Sequence, residues 1–179
     1  MLKSKLRKRL LQLRKKKYYE NLNLKNKKTL IEIISKNKII GAYYPVNFEM
    51  NLLNFLKELK KKKIKISLPV INKNNQMDFY LWSGNDLLTV NKFGIPEPEK
   101  IKKVIPNLIL VPIVGFDREF YRLGYGGGYY DRYINKIEKK NKFIKKIGIA
   151  YSFQKIKKIP INQFDKKMDI IITDQYILK

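Results

Sequence analysis

Short apolar runs that stop at a proline, with helical periodicity between them, constrain this chain more than any other feature. Ile39 to Tyr44 is such a run, ended by Pro45. Ile64, Ile66 and Leu68 alternate and stop at Pro69, and Leu108 to Val111 runs into Pro112. Runs of that length suit buried strands. Phe79 to Trp82, Ile147 to Ala150 and Asp169 to Thr173 are further strand candidates. Leu2, Leu6, Leu10 and Leu13 recur at helical spacing and predict an amphipathic helix running to about Tyr19. Leu30, Ile31, Ile33 and Ile34 predict a second helix. Leu52, Leu53, Phe55, Leu56 and Leu59 predict a third, with Lys60 to Lys63 as its solvated end, where cations suit the dipole. A fourth is expected from about Tyr129 through Glu138. Phe93 to Pro98 reads as irregular, because its two prolines exclude a ladder or a helix interior. Strands alternating with helices imply an α/β fold. The expectation is a mainly parallel sheet flanked by helices, three layers in a single domain over residues 1–179.

Composition removes several chemistries. There is no cysteine and no histidine. Disulfides, thiolate metal sites, cysteine nucleophiles, Ser-His-Asp triads and imidazole acid–base catalysis are therefore excluded. Proton transfer must use carboxylates, lysine, tyrosine, substrate groups or water. No apolar run approaches the length of a membrane span. The charged N-terminal stretch is followed by no uninterrupted apolar segment, so a secretory signal is not expected. A cytoplasmic protein is the expectation. The net charge of +25 resembles a nucleic-acid signal. Its lysines are spread along nearly the whole chain and accompany abundant Asn, Ile, Tyr and Phe, a bias that genome composition produces. Nucleic acid is accordingly not the expected partner, and a basic RNA-binding accessory protein stands as the rival reading.

Chemistry concentrates in Arg122-Leu123-Gly124-Tyr125-Gly126-Gly127-Gly128-Tyr129-Tyr130-Asp131-Arg132. Glycines let backbone N–H groups converge and let a ligand approach the main chain. Feeding a helix start, such a turn offers N–H donors and a positive dipole end to an anion. The arginines add permanently charged forks, and Asp131 is placed to hold Mg²⁺ beside a phosphate. The segment reads as a nucleotide-phosphate cradle, although neither a Walker A loop nor the usual dinucleotide fingerprint is present.

Other residues read less sharply from spacing alone. Lys3 and Arg7 share a helix face, which a solvated basic face would also explain. Glu49 follows the first strand, either in a ligand-facing loop or as a helix N-terminal acid. Asp117 is either a capping residue or a holder of the glycine loop. Asp131 and one of Asp165, Asp169 and Asp174 have the makings of a Mg²⁺ site. Tyr129 and Tyr130 open the helix behind the loop, one for the core and one free to stack on a flat ring.

With these segments in hand, the chain resembles the 5-formyltetrahydrofolate cyclo-ligase (5,10-methenyltetrahydrofolate synthetase) family. Lys3-Ser4-Lys5-Leu6-Arg7 resembles its N-terminal K-x-x-L-R, and Tyr43-Tyr44-Pro45 through Glu49 its first strand and acidic loop. Leu68-Pro69-Val70, Gly94 to Pro98, and Asp165 with Asp169 to Thr173 follow in the family's order. Val111 to Asp117 and Arg122 to Asp131 resemble its long signature nearly residue for residue. The resemblance implies an ATP- and Mg²⁺-dependent ligase acting on small molecules, without nucleic acid or membrane, and working as a monomer. The formyl oxygen of 5-formyltetrahydrofolate would attack the γ-phosphate, and N10 would close the ring as phosphate leaves. By the same resemblance Lys3, Ser4, Lys5, Leu6 and Arg7, with Arg122, Leu123, Gly124, Tyr125, Gly126, Gly127, Gly128, Tyr129 and Tyr130, would bind ATP. Lys3, Arg7 and Arg122 would be catalytic. Arg7, Tyr44, Glu49 and Tyr125 through Tyr129 would bind folate, and Asp131 and Asp165 would hold Mg²⁺. Two departures stand out: many members have histidine where this chain has Phe164, and tryptophan near Phe93.

Overall fold

The predicted strands lie side by side in one mostly parallel sheet. In a computed structural model of the chain, residues 2–18, 27–140 and 143–179 are described. The helices are α1 (Lys3–Lys16), α2 (Lys27–Ser35), α3 (Leu53–Lys61) and α4 (Tyr129–Glu138). The first strands are β1 (Ile39–Gly41), β2 (Lys65–Ile71), β3 (Met77–Trp82), β4 (Leu88–Val90), β5 (Pro96–Pro98) and β6 (Lys103–Val104). Then come β7 (Leu108–Pro112), β8 (Gly115–Phe116), β9 (Arg122–Leu123), β10 (Lys145–Ala150), β11 (Ile170–Thr173) and β12 (Ile177–Leu178). Among the described residues the main sheet runs β12-β11-β10-β7-β1-β2-β3-β6. Its centre, β11 through β2, is parallel, while β12, β3 and β6 are antiparallel additions.

Alternation along each strand divides the interior into two layers. In β7, Leu108 and Leu110 join the core under α2 and α3. Ile109 and Val111 face the opposite core, with Tyr133, Ile134 and Ile137 of α4. Helix α1 belongs to neither. Its Leu6 and Leu10 pack on Val114, Leu123 and Ile159 in a third, smaller cluster. The expected three-layer α/β arrangement is therefore found, with α1 laid across the β8–β9 hairpin.

Some local expectations need correction. The buried residues of α1 are Leu6, Leu10 and Arg14. Leu2 is exposed and Leu13 only partly buried, so the stripe follows the four-residue interval rather than Leu13. The helix ends at Lys16, and Tyr19 lies outside the described residues. Pro96 to Pro98, expected to be irregular, forms β5 and pairs with β4. Prolines two apart turn their nitrogens to the same side, and an isolated two-stranded ribbon needs donors on only one side. Asp117 is a holder: Oδ1 accepts the Glu119 and Tyr121 N–H groups at 3.0 and 3.1 Å, and Oδ2 accepts the Ile159 N–H at 3.0 Å. It fixes the turn that delivers β9 to the glycine loop.

The sheet also positions the functional cleft. Connections from β1 proceed to β2 on one side, while β7 leads to β10 and β11 on the other. The crevice at such a switch point, beyond the strand C-termini, is where ligands bind in open α/β sheets. Gly41 closes the packing beneath it. A Cβ there would lie 2.7 Å from Phe79 Cε1 and 2.8 Å from Ile109 Cγ2. Gly41→Ala is expected to destabilise the fold by about 1–3 kcal/mol through overpacking. Urea unfolding checks this; an unchanged midpoint would mean that the neighbours make room without strain.

Candidate active site

The glycine loop leaves β9 and delivers the chain to α4. Gly126 has φ +105° and Gly128, at the N-cap of α4, has φ +65°, conformations that side-chain-bearing residues seldom adopt. Gly128 supplies no side-chain cap to the helix. The first-turn N–H groups of α4 are left for water or a ligand, at the positive end of the helix. Two arginines brace the loop. Arg7 Nε donates to Gly124 O at 2.7 Å, and a Cβ on Gly126 would sit 3.2 Å from Arg7 Cζ. Arg132 donates to Gly127 O at 2.6 Å and to Asn75 O at 2.7 Å, which ties the loop to the β2–β3 connection.

Carboxylates and cations meet beside the loop. Arg122 is buried; Nη2 donates to Asp131 Oδ1 at 2.8 Å and Nη1 to Lys166 O at 2.6 Å. The Lys166 N–H donates to the same Asp131 oxygen at 3.0 Å. Lys3 Nζ donates to Asp165 Oδ2 at 2.6 Å, joining residues 162 apart in the chain. Asp131 and Asp165 both line the cleft. Among the described residues no group of three His, Cys, Asp or Glu side chains is gathered to hold a metal. Mg²⁺ commonly takes one or two carboxylates and completes its shell with phosphate oxygens and water. Two carboxylates on one cleft, next to a helix start whose first-turn N–H groups carry no side-chain cap, fit that requirement. Asp169 and Asp174 serve elsewhere: they accept the Lys146 and Ser152 N–H groups, both at 2.6 Å.

The opposite wall is buried and aromatic. Glu49 is 4% exposed. Its Oε2 accepts the Val46 N–H at 3.0 Å, and its Oε1 accepts the Tyr125 hydroxyl at 2.8 Å. Burial raises the Glu49 carboxyl from 4.5 to about 7, while the Val46 N–H, Arg14 and the Tyr125 hydroxyl pull against the rise. The folded protein thus keeps a proton on Glu49 that the unfolded chain releases, so folding stability falls as pH rises from about 4.5 to 7. A shift of this size amounts to roughly 3 kcal/mol. Glu49→Gln is expected to gain stability relative to the parent across that window and to run parallel above it. Chemical denaturation as a function of pH checks this; parallel curves throughout would contradict it.

These walls enclose a cleft of about 960 Å³. It is lined by Lys3, Arg7, Tyr44, Glu49, Asp165 and the whole run Arg122 to Asp131. Tyr129 and Tyr130 both line it, with Tyr129 edge-on to Phe93 at 6.2 Å between ring centres. Phe93 and Phe164, the two departures noted above, stand exposed on its rim. Ser4, Lys5 and Leu6 are not in the lining. Ser4 and Lys5 face solvent, and Leu6 is buried in the α1 cluster, because successive residues of a helix point in different directions. Sequence reasoning missed Arg14, Glu97, Asn162 and Lys166. Glu97 is buried on the cleft wall and holds the Ile71 N–H at 2.8 Å and Asn91 Nδ2 at 2.6 Å. Arg14 had a signal, its four-residue interval from Leu6 and Leu10.

An open helix N-terminus, cations and two carboxylates on one wall, with a buried carboxyl and aromatic rings on the other, define a class. It is an α/β enzyme with a cleft whose two walls suit an anion and a flat, polar-edged molecule side by side. The family model of the 5-formyltetrahydrofolate cyclo-ligase family matches residues 1–174. The chain is 34% identical over 139 residues to the 5-formyltetrahydrofolate cyclo-ligase of Mycoplasma pneumoniae, covering 77% of this chain and 74% of that one. It is 28% identical over 143 residues to the Haemophilus influenzae enzyme, covering 75% of each. The solved 5,10-methenyltetrahydrofolate synthetase of Aquifex aeolicus superposes with a TM-score of 0.78 at 32% identity, over 99% of this chain and 92% of that one. The Mycoplasma pneumoniae synthetase superposes with a TM-score of 0.76 at 29% identity, over 98% and 100%. The chain belongs to the 5-formyltetrahydrofolate cyclo-ligase family. Its activity is that of a ligase that closes a carbon–nitrogen bond, taking 5-formyltetrahydrofolate to 5,10-methenyltetrahydrofolate.

Proposed function

We propose that the cleft binds ATP along the glycine loop and the folate against Glu49, so that the γ-phosphoryl group passes to the formyl oxygen. The observation that carries this is the meeting, within one cleft, of the anion-holding start of α4 and the buried Glu49 wall. The backbone from Arg122 to Tyr130, with Lys3 and Arg7, holds the triphosphate. Of the first turn of α1, the lining supports Lys3 and Arg7 as the contacts rather than Ser4, Lys5 or Leu6. Tyr44, Glu49, Arg7 and Tyr125 through Tyr129 hold the folate.

The chemistry follows from what these groups supply. An amide oxygen is a poor leaving group and a phosphate is a good one. The formyl oxygen attacks the γ-phosphorus and ADP departs. N10 then attacks the formyl carbon, loses its proton, and phosphate leaves with the former formyl oxygen. No covalent enzyme intermediate is needed. The protein aligns two ligands and stabilises charge on the transferring group, through Lys3, Arg7, Arg122 and the loop amides. Asp131 and Asp165 would hold Mg²⁺, which when bound neutralises charge on the phosphate oxygens.

In this reading the whole chain, residues 1–179, is one cyclo-ligase domain that acts as a monomer in the cytoplasm and needs no nucleic acid. Among the described residues no helix is long and apolar enough to cross a membrane. Mixing the protein with 5-formyltetrahydrofolate and Mg-ATP should raise absorbance in the methenyl product's band, and omitting ATP or adding a chelator should abolish the rise. Product formation without ATP would refute the phosphorylation route. RNA binding with a steep salt dependence, and no turnover, would favour the RNA-binding rival.

A further inference from the structure

One buried charge is used by no step above. Arg14 is 1% exposed. It follows Leu6 and Leu10 on the buried face of α1, where an aliphatic side chain would complete the stripe. A guanidinium is costly in such a place unless its donors are met. Nη1 donates to Ile113 O at 3.3 Å, and Nη2 donates to the Tyr125 hydroxyl. The guanidinium also lies 5.5 Å from the centre of the Tyr125 ring. Nε has no partner among the described residues.

The order of donors fixes a direction. A guanidinium can only donate. The Tyr125 oxygen therefore accepts from Arg14, and the Tyr125 proton points onward to Glu49 Oε1 at 2.8 Å. Glu49 Oε2 accepts the Val46 N–H. Both Glu49 oxygens thus act as acceptors, and Glu49 lines the cleft. The groups that face Glu49 are Arg14 from α1, Tyr125 from the glycine loop, Tyr43 after β1 and Tyr130 from α4. Burial pushes all three tyrosines up, so they stay neutral, and Arg14 is the one cation in this set.

We infer that Arg14 is a positioning residue which, acting through Tyr125, holds Glu49 as an oriented, ionised acceptor for N–H donors of the folate. The inference rests on the proposed role of Glu49 as the folate's polar anchor. Arg14 touches neither ligand in this account; it sets the polarity of the group that does.

The test is kcat/KM for 5-formyltetrahydrofolate as a function of pH at saturating Mg-ATP. The parent enzyme loses folate binding on the acid side as Glu49 takes up a proton. Arg14→Leu, which completes the apolar stripe, should move that limb upward by about one pH unit or more and raise KM for the folate about tenfold at neutral pH. KM for ATP should change by no more than about twofold, and Arg14→Lys should bring the limb back toward the parent position. If Arg14→Leu fails to fold, Arg14→Met carries the same expectation, because it removes the charge and keeps most of the length of the side chain. A limb that stays in place in the folded variant, yet is absent in Glu49→Gln, would overturn the role of Arg14 and leave that of Glu49 intact. A limb that persists in Glu49→Gln would overturn the role of Glu49 itself.

Discussion

Arg122→Ala should lower turnover at least ~100-fold, as expected when a charge that stabilises a transferring phosphoryl group is removed. Arg122 binds Asp131 and the Lys166 carbonyl, so its loss also frees the start of α4 and should cost about 1–3 kcal/mol of stability. Asp131→Asn separates the two effects. Asparagine keeps an Oδ1 acceptor for Arg122 and for the Lys166 N–H, so the loop geometry should hold while the negative charge is lost. Its turnover should fall at least ~100-fold with little change in thermal stability. Lys16→Ala, on the exposed end of α1, should be near neutral. Steady-state kinetics with thermal melts decide the matter. Parent-like rates in both site variants would remove the site assignment, and an equal loss in Lys16→Ala would mean that general charge carries binding.

Gly126→Val should have a comparable effect by another route. With φ at +105°, Gly126 occupies backbone space that a β-branched residue enters only under strain, on the order of 1–3 kcal/mol. The added Cβ would also stand 3.2 Å from Arg7 Cζ and displace the guanidinium that braces Gly124. Both faults act where the loop amides must converge. A misplacement of about 1 Å costs roughly 100-fold when catalysis is positioning. kcat/KM for ATP should therefore drop about 100-fold, while the core, which does not include Gly126, keeps its helix content by circular dichroism. Unchanged kcat/KM would show that the amides of this turn are not the phosphate grip.

What the sequence disclosed depended on whether the signal was local. The glycine run, the positions of the apolar strands and the start of α4 each express their physics within a few residues and were legible. Two of the strand ends were not: β2 runs through Pro69 to Ile71 instead of stopping there, paired with β3 along its length, and β1 ends at Gly41, short of Pro45. Arg14 carried a signal in its four-residue interval from Leu6 and Leu10 but was passed over, because an arginine in a basic helix reads as solvated and Leu13 looked like the next member of the stripe. The partnership of Lys3 with Asp165 spans 162 residues and has no trace in spacing. The two-residue strands β6, β8, β9 and β12 are too short to carry a period. The β4–β5 ribbon was hidden by its prolines, which are tolerated there because one side of the ribbon is unpaired.

The central claim, that the formyl oxygen is phosphorylated in this cleft, is tested most directly by following that oxygen. 5-Formyltetrahydrofolate labelled with oxygen-18 in the formyl group, turned over with unlabelled Mg-ATP, should place one labelled oxygen in each phosphate released, seen as an isotope shift in the phosphorus NMR signal. Unlabelled phosphate, with the heavy oxygen recovered in water, would contradict the account.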